Sequence, residues 1–330
     1  MLKTSQNDFE AAAAFVKEHN TFLLASHGRT DGDDCGGMLA VVSALKQMGK
    51  TAVPVAKGGV PAGLKFLPGQ NEVLEDLSAD DFAAGKFDAL ILFGCSYVER
   101  TELDALANWQ GLDLPILNID HHPDNQMYGS VNLVDQQKSS AAEVTYDFLK
   151  FLGVEITADI AKCLLTGIFT DTGSFMHANT SASALNAAGD LMKYGARVDK
   201  IFSNTQENKD LFTLKAWGIA LENTRIDKNN KIAICVLTEE DLAKIGGELD
   251  NGAFVGLTDM LNTIPDTRFA IFVRQDGEFI KGSIRSEEHK NIDVAWIAQV
   301  IAGGGGHKLA AGFKIKGRIE KQGDGSWKVK

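Results

Sequence analysis

Three short stretches of this chain bring together side chains that could bind a divalent metal ion. The segments SHGRTDGDDCGG (26–37) and NIDHHP (118–123) combine carboxylates with histidine, and FTDTGSF (169–175) adds a further aspartate. Mixed imidazole and carboxylate ligands suit Mn²⁺ or a similar ion better than Ca²⁺, which prefers oxygen ligands alone. The candidate residues are His27, Asp31, Asp33, Asp120, His121, His122 and Asp171.

Each stretch, taken alone, also has a simpler structural interpretation. An aspartate of the first stretch could cap the following helix, the two histidines could lie in a surface turn before Pro123, and Asp171 could lie in a plain turn. A single cluster of this kind could arise by chance, but three clusters at one predicted edge of the sheet are harder to explain in that way. We therefore expect a shared metal centre.

The elements that must position these residues follow an alternating pattern. Over the first 190 residues, short apolar runs alternate with helical patterns, which is typical of βαβ units and predicts an α/β fold with a mainly parallel sheet flanked by helices. Functional residues of such sheets gather at the carboxyl ends of the strands. The predicted strands cover 21–27, 51–57, 87–94 and 114–122, and the predicted helices cover 35–49 and 139–153. Residues 159–173 are predicted to form a helix that runs into a loop, and Asp171 is expected in that loop.

A different pattern follows in the second part of the chain. Residues 181–225 are predicted to be mostly helical, and a smaller α/β domain follows, with strands at 231–238, 269–277 and 279–286 and a helix at 292–304. The last two strands predict a hairpin. We expect a metal-binding domain at 1–203, a linker at 204–210 and a second domain at 211–330.

Glycine and basic residues of this second domain could bind a phosphate. The segment AGGGGHKLAAG (302–312) would let backbone N–H groups approach an anion closely, and Arg274, Lys281 and Arg285 lie on the predicted hairpin. Arginine can grip a phosphate with two hydrogen bonds or stack on a base. The simpler alternatives are a flexible loop and a solvated strand face.

Composition narrows the class of protein. The chain has a net charge of −11, and all of the acidic excess lies before residue 211, which disfavours binding along duplex nucleic acid. The four cysteines are scattered, which fits a reducing cytoplasm and argues against a disulfide framework or a structural zinc site. Neither a signal peptide nor a membrane span is expected.

Together these motifs resemble the DHH phosphoesterase family, specifically its members with a DHH-associated C-terminal domain. Asp120-His121-His122 is similar to the motif that names the family, SHGRTDGD to its first motif and TDTGSF to its fourth. GSIRS and GGGGHKLAAG are similar to the substrate-holding motifs of the second domain. The family includes oligoribonucleases of the nanoRNase type, which also act on 3′-phosphoadenosine 5′-phosphate, and phosphodiesterases that act on dinucleotides.

The resemblance implies a hydrolase that uses one or two ions of Mn²⁺, or of Mg²⁺ or Co²⁺, to cleave phosphodiesters or phosphomonoesters. His27 and Asp31 would hold one ion, and Asp33, His121 and Asp171 the other. His122 would contact the scissile phosphate, and Asp120, which begins the same motif, is the second predicted catalytic residue. The second domain would close over a short single-stranded RNA or DNA or a small nucleotide. The implied substrate-binding residues are Phe175, His177, Arg274, Arg285, Ser286, Gly304, Gly305, Gly306 and His307. A homodimer is one possible assembly.

The chain departs from the family pattern in the segment LILFGCS (90–96). An aspartate that bridges the two ions should end this strand, and Gly94 stands in its place. The sequence leaves open two more weakly held ions, a single ion, a substitute ligand at Cys95 or Ser96, or nucleotide binding without cleavage. A pyrophosphatase or exopolyphosphatase is a further alternative. On this basis, Gly94→Asp should raise the affinity for the second ion.

Overall fold

A computed structural model describes residues 2–28, 30–78, 86–107, 111, 114–207, 211–244, 253–254, 256–323 and 326–330. The chain forms two compact units, Met1–Asn208 and Lys209–Lys330. The roles expected for the two domains stay predictions, and residues 208–210 of the expected linker lie outside the described residues.

The first unit is built on a five-stranded sheet in which every pair of neighbouring strands is parallel, in the order β2-β1-β3-β4-β5. Strands β3 and β4 are buried along their whole length, which explains their continuous apolar sequences. The α/β prediction is confirmed. The strands are β1 (Thr21–Ser26), β2 (Thr51–Val55), β3 (Ala89–Phe93), β4 (Ile116–Asp120) and β5 (Val131–Val134).

Helices cover one face of this sheet and form the larger core with it. A smaller core on the other face includes Leu90 and Leu92 of β3 together with Leu103 and Leu106, which lie in or beside short 3₁₀ turns. The helices are α1 (Gln6–Glu18), α2 (Gly32–Gln47), α3 (Ala141–Leu152), α4 (Ala158–Asp171), α5 (Ala182–Lys193) and α6 (Val198–Phe202), and a π-helical turn (Ser203–Glu207) follows.

Two helix boundaries differ from the prediction, and both affect the candidate metal ligands. Helix α2 begins at Gly32 rather than at residue 35, because the Asp31 side chain accepts hydrogen bonds from the N–H groups of Asp33 and Asp34 and so caps the helix. Asp171 is the last residue of α4 rather than part of a loop. The first and last motifs therefore lie at helix ends.

Helices α2 and α4 pack with their backbones in close approach, which glycine makes possible. A Cβ atom at Gly36 would overlap the carbonyl oxygen of Cys163, and one at Gly32 would overlap the side chain of Thr170. On α4, a Cβ at Gly167 would lie 3.2 Å from the Asp33 backbone of α2, and it would also overlap the side chain of Ala142 on α3. This contact holds the first turn of α2 against the end of α4.

The second unit contains a six-stranded mixed sheet in the order β10-β11-β9-β8-β7-β6, and a two-stranded sheet of β12 and β13. The predicted hairpin is confirmed as β8 and β9, in which Arg274 pairs with Lys281. The strands are β6 (Arg225–Asp227), β7 (Ile232–Leu237), β8 (Phe269–Asp276), β9 (Phe279–Arg285), β10 (Gly305–His307), β11 (Ala310–Lys316), β12 (Ile319–Lys321) and β13 (Trp327–Val329). The helices are α7 (Leu211–Glu222), α8 (Glu239–Ala243), α9 (Leu257–Asn262) and α10 (Val294–Ala302).

None of the helices in the described part of the chain has both the length and the apolar composition that a membrane span requires.

The close approach of α2 and α4 generates a stability prediction. Gly36→Ala should lower the free energy of unfolding by about 1–3 kcal/mol, because the added methyl group meets a backbone carbonyl that cannot rotate away. Gly189→Ala is the matched control, because Gly189 lies in the interior of α5 with open space around its Cβ position. That change should stabilise the protein by about 0.5–1 kcal/mol. Urea unfolding of both variants measures the difference, and equal effects would contradict this account of the packing.

Candidate metal centre

Three neighbouring strands of the parallel sheet end side by side. In the register of β1, β3 and β4, Ser26 pairs with Phe93 and Phe93 pairs with Ile119. The N–H of Gly94 then donates to the carbonyl of Ile119 at 3.0 Å. The residues that follow these strands therefore lie at one edge of the sheet, as the sequence predicts.

The first group of possible ligands at this edge, which we call the first cluster, comprises His27, Asp31 and Asp34. The Nε2 atom of His27 lies 2.6 Å from Oδ2 of Asp34 and 3.8 Å from Oδ2 of Asp31. Burial favours the neutral form of His27, but the charges of Asp34 and Asp31 outweigh burial and raise the pKa of the imidazole to about 10. The first cluster contains the two predicted residues and one that was not predicted.

The second group, which we call the second cluster, comprises Asp33, His121 and Asp171. The Nε2 atom of His121 lies 3.6 Å from Oδ2 of Asp33 and 3.9 Å from Oδ2 of Asp171. Asp33 also accepts hydrogen bonds from the N–H groups of Ala141 and Ala142, at the start of α3. The structure thus brings together all three residues that were expected to share an ion.

The electrostatics of the two clusters fit a bound cation. Burial raises the pKa of Asp33 well above its usual range, and the negative charge of Asp171 adds to this effect although His121 opposes it. Burial and the charge of Asp31 likewise raise the pKa of Asp171. Several carboxylates so close together can all be ionised at neutral pH only if a positive charge compensates them. Their oxygen and imidazole donors are those that Mn²⁺-type ions take.

Asp120 holds the His122 ring in position, and its expected catalytic role stays a prediction. Its side chain is fully buried and accepts hydrogen bonds from the N–H groups of His121 and His122 and from the side chain of Asn125. Its Oδ1 atom also lies 2.6 Å from Nδ1 of His122. Burial alone would lower the pKa of His122, but this contact raises the pKa to about 9. A third group of possible ligands comprises Asp120, His121 and His122. The oxygens of Asp120 already contact those N–H groups, the His122 ring and Asn125.

Among the described residues, neither Cys95 nor Ser96 belongs to a group of possible ligands. Cys95 is buried, which raises the pKa of its thiol well above the usual range, and the Ser96 hydroxyl donates to Asp124 at 2.7 Å. A Cβ at Gly94 would overlap Oδ1 of Asp34. The new side chain of Gly94→Asp would therefore have to displace the Asp34 carboxylate, and the expected rise in affinity for the second ion stays a prediction.

Phe175 and His177 lie beyond Asp171, as expected for the fourth motif, but both have contacts within the first unit. The Phe175 ring packs edge-on against Phe169 at 5.6 Å between centroids. The His177 ring lies over Gly173, and its Nδ1 atom is 3.4 Å from the main-chain carbonyl oxygen of Asp171. Stacking of either residue on a base stays a prediction.

The predicted arginines of the second unit lie on adjacent strands, each beside a carboxylate. Arg274 donates to Asp276 at 3.1 Å and lies over the ring of Phe254. Arg285 donates to Asp259 at 2.9 Å. A phosphate would therefore compete with these carboxylates for the guanidinium groups.

The glycine run of the second unit is partly a strand and not simply a loop. Gly305, Gly306 and His307 form β10, which pairs with β11. A Cβ at Gly304 or Gly306 would overlap β11 backbone atoms, which gives those two glycines a packing role, whereas the Cβ position of Gly305 is open. The hydroxyl of Ser286 donates to a main-chain carbonyl at 2.7 Å.

Sequence reasoning missed three residues around the clusters. Asp34 stands next to a predicted ligand in the run DGDD, and the extra acidic residue there was the available signal. Asn125 donates to Asp120, and Asn179 donates to Oδ2 of Asp171 at 3.1 Å. The two asparagines follow their partners by five and eight residues, a spacing that has no recognisable pattern in the sequence.

Comparison with known proteins identifies the family. A model of the DHH family N-terminal domain matches residues 21–168, and a model of the DHHA1 domain matches residues 229–324. The chain belongs to the DHH family. The resemblance drawn from the motifs is thereby confirmed.

Several relatives of this DHH-family chain match it over most of its length. A bifunctional oligoribonuclease and PAP phosphatase of Thermus thermophilus is 32% identical over 89% of this chain and 84% of its own. A protein of the same description from Bacillus subtilis is 26% identical over 91% of each chain. The fold matches an exopolyphosphatase-related protein of Bacteroides fragilis with a TM-score of 0.86 at 22% identity, covering 95% of this chain and 92% of that one.

The crowded carboxylates of this DHH-family chain predict opposite effects of one substitution with and without metal. Asp171→Asn should raise the melting temperature in EDTA, because it removes one of several mutually repelling charges. In excess Mn²⁺ it should reduce the stabilisation by metal, which is about 2.7 kcal/mol when the free ion is at 100 times its dissociation constant. Asp190→Asn, at an acidic position outside both clusters, should leave the stabilisation by Mn²⁺ unchanged. Thermal melts in both buffers measure this, and a metal response in Asp171→Asn equal to that of the wild type would contradict the second cluster.

Proposed function

We propose that this protein is a metal-dependent phosphoesterase that hydrolyses short oligoribonucleotides and 3′-phosphoadenosine 5′-phosphate. The observation that carries the proposal is the pair of ligand clusters at one edge of the parallel sheet. The names of the relatives from Thermus thermophilus and Bacillus subtilis support the two substrates. These relatives match almost the whole chain, so both units would take part.

We assign the clusters to two divalent ions, and we favour Mn²⁺. Each cluster offers one imidazole and two carboxylates, a donor set that suits Mn²⁺ better than Mg²⁺, which usually keeps several waters. Such ions supply Lewis acidity toward a phosphate and generate a nucleophile from water at neutral pH. The protein's part is to fix the positions of His27, Asp31 and Asp34 on one side and of Asp33, His121 and Asp171 on the other.

His122 is the residue that we assign to the reacting phosphate. Asp120 binds its Nδ1 atom, which fixes the orientation of the ring and leaves Nε2 as the donor to a phosphate oxygen. Because the pKa of His122 is raised to about 9, the ring carries a positive charge at neutral pH. A charged donor stabilises the negative charge that develops in phosphoryl transfer.

We propose that the second unit recognises the nucleotide through Arg274, Arg285 and the exposed edge near Gly305. The arginines lie on paired strands, and β10 is an edge strand of the same sheet, so its backbone can approach a ligand. Only a few cationic groups are involved, which suits a short single strand or a mononucleotide and not a duplex. The described cysteines are all buried and free, which supports the cytoplasm as the site of action.

Hydrolysis assays test the proposed activity. With Mn²⁺, the wild-type protein should release mononucleotides from a diribonucleotide and phosphate from 3′-phosphoadenosine 5′-phosphate. His122→Ala should lower kcat by about 10²–10³-fold, because a charged donor to the transition state is lost. His19→Ala is the control, because His19 belongs to none of the groups of possible ligands and its ring packs against Phe15. Absence of turnover on both substrates by metal-loaded protein would contradict the proposal, and competition by pyrophosphate would reveal an inorganic substrate.

Kinetics of an arginine variant test the role of the second unit. Arg285→Ala should raise KM about tenfold or more while kcat changes little, because Arg285 would hold the part of the substrate that does not react. Arg318→Ala is the control, since Arg318 is exposed and lies on no predicted substrate motif. A fall in kcat with unchanged KM in Arg285→Ala would contradict this role.

A further inference from the structure

We propose that Asp34 is a ligand of the ion held by the first cluster and that it takes the place of a carboxylate at the end of β3. The inference rests on the proposed metal-dependent function. Strand β3 lies between β1 and β4 in the sheet, and both of these strands lead directly into ligands. The strand between them ends on Gly94, which has no side chain, and Asp34 reaches the same space from helix α2.

The position of the Asp34 carboxylate is the first observation behind this inference. A Cβ atom at Gly94 would overlap Oδ1 of Asp34, and the other carboxylate atoms lie next to it. A side chain at position 94 and the carboxylate of Asp34 therefore exclude each other. The backbone at Gly94 has a φ of +59°, which also favours glycine, so the test must separate steric exclusion from backbone strain.

The surroundings of the carboxylate are the second observation. Asp34 is only 2% exposed, and the Nε2 atom of His27 lies 2.6 Å from its Oδ2 atom. The two side chains and Asp31 have ligand atoms within 4.8 Å of one another, so one metal ion could bind all three. Such an ion would compensate the charge of a buried carboxylate.

Asp34 also lies beside the second cluster, because it directly follows Asp33 on α2. A carboxylate at this place would offset the repulsion between two bound ions, as a carboxylate at the end of β3 would.

Metal titration of a near-isosteric variant tests the assignment. Mn²⁺ bound to wild-type protein and to Asp34→Asn is counted by isothermal titration calorimetry and by the EPR signal of free Mn²⁺. The wild type should bind two ions. Asp34→Asn should bind one, or bind the other at least about tenfold more weakly, because even outer-shell changes weaken metal sites 10–100-fold.

The matched control is Asp241→Asn, which also removes a buried carboxylate but lies in the second unit. Asp241 forms a capping box at the start of α8, so the variant should be less stable while its Mn²⁺ count stays at two. Binding of two ions with unchanged affinity by Asp34→Asn would overturn the inference while leaving the proposed function in place. A wild-type protein that binds no Mn²⁺ would overturn both.

Stability measurements in EDTA test the exclusion between positions 34 and 94 without any metal. Gly94→Ala should lower the melting temperature more in the wild type than in an Asp34→Ala background, where the methyl group has room. Backbone strain at position 94 is the same in both backgrounds, so it cancels from the comparison. Equal losses would show that Asp34 does not occupy this space and would overturn the inference.

The double variant Asp34→Ala/Gly94→Asp moves the carboxylate from α2 to β3. We expect it to regain the second Mn²⁺ ion that Asp34→Ala loses, measured by the same titration. Aspartate tolerates a positive φ better than most residues, which favours folding of this variant. A folded double variant that still binds one ion would overturn the equivalence of the two positions, and if it does not fold, Asp34→Asn decides the assignment alone.

Discussion

The candidate site depends on the close approach of helices α2 and α4. Gly32 and Gly36 on α2 and Gly167 on α4 lie where any larger residue would overlap a neighbouring atom. This packing holds the first turn of α2, with its acidic residues, against the end of α4, where Asp171 lies. The two helices, rather than loops, thereby set the distances between carboxylates, and sites on rigid elements hold their geometry better than sites on loops.

The same packing creates an electrostatic problem that a metal ion would resolve. Asp33 and Asp34 are buried, and their pKa values are raised mainly because burial disfavours the charged form. Two contacts offset part of this cost. Asp33 accepts hydrogen bonds from two N–H groups at the start of α3, and Asp34 pairs with His27. These contacts hold the carboxylates in place, but they do not balance all of the negative charge. The folded first unit therefore favours the binding of a cation at these carboxylates.

How far the sequence could predict the site differs from residue to residue. His27, Asp33 and His121 were found because each follows or adjoins an apolar strand or helix whose type the sequence indicates clearly. Asp34 was missed, because adjacent residues on a helix point in different directions and no spacing rule tells which of them reaches the site. Gly94 was interpreted as the loss of a ligand, and only the structure shows another carboxylate in the same space.

The sequence by itself determined the α/β class, the family and the edge of the sheet where the motifs meet. These follow from hydrophobic periodicity and from short motifs, which are local in the chain. The tertiary structure alone decided the partners: Asp120 with His122 and Asn125, Gly304 and Gly306 against β11, and Asp34 above Gly94. Each of these partnerships depends on side-chain direction or on backbones that pack together in the fold, and neither is encoded in the spacing of residues along the sequence.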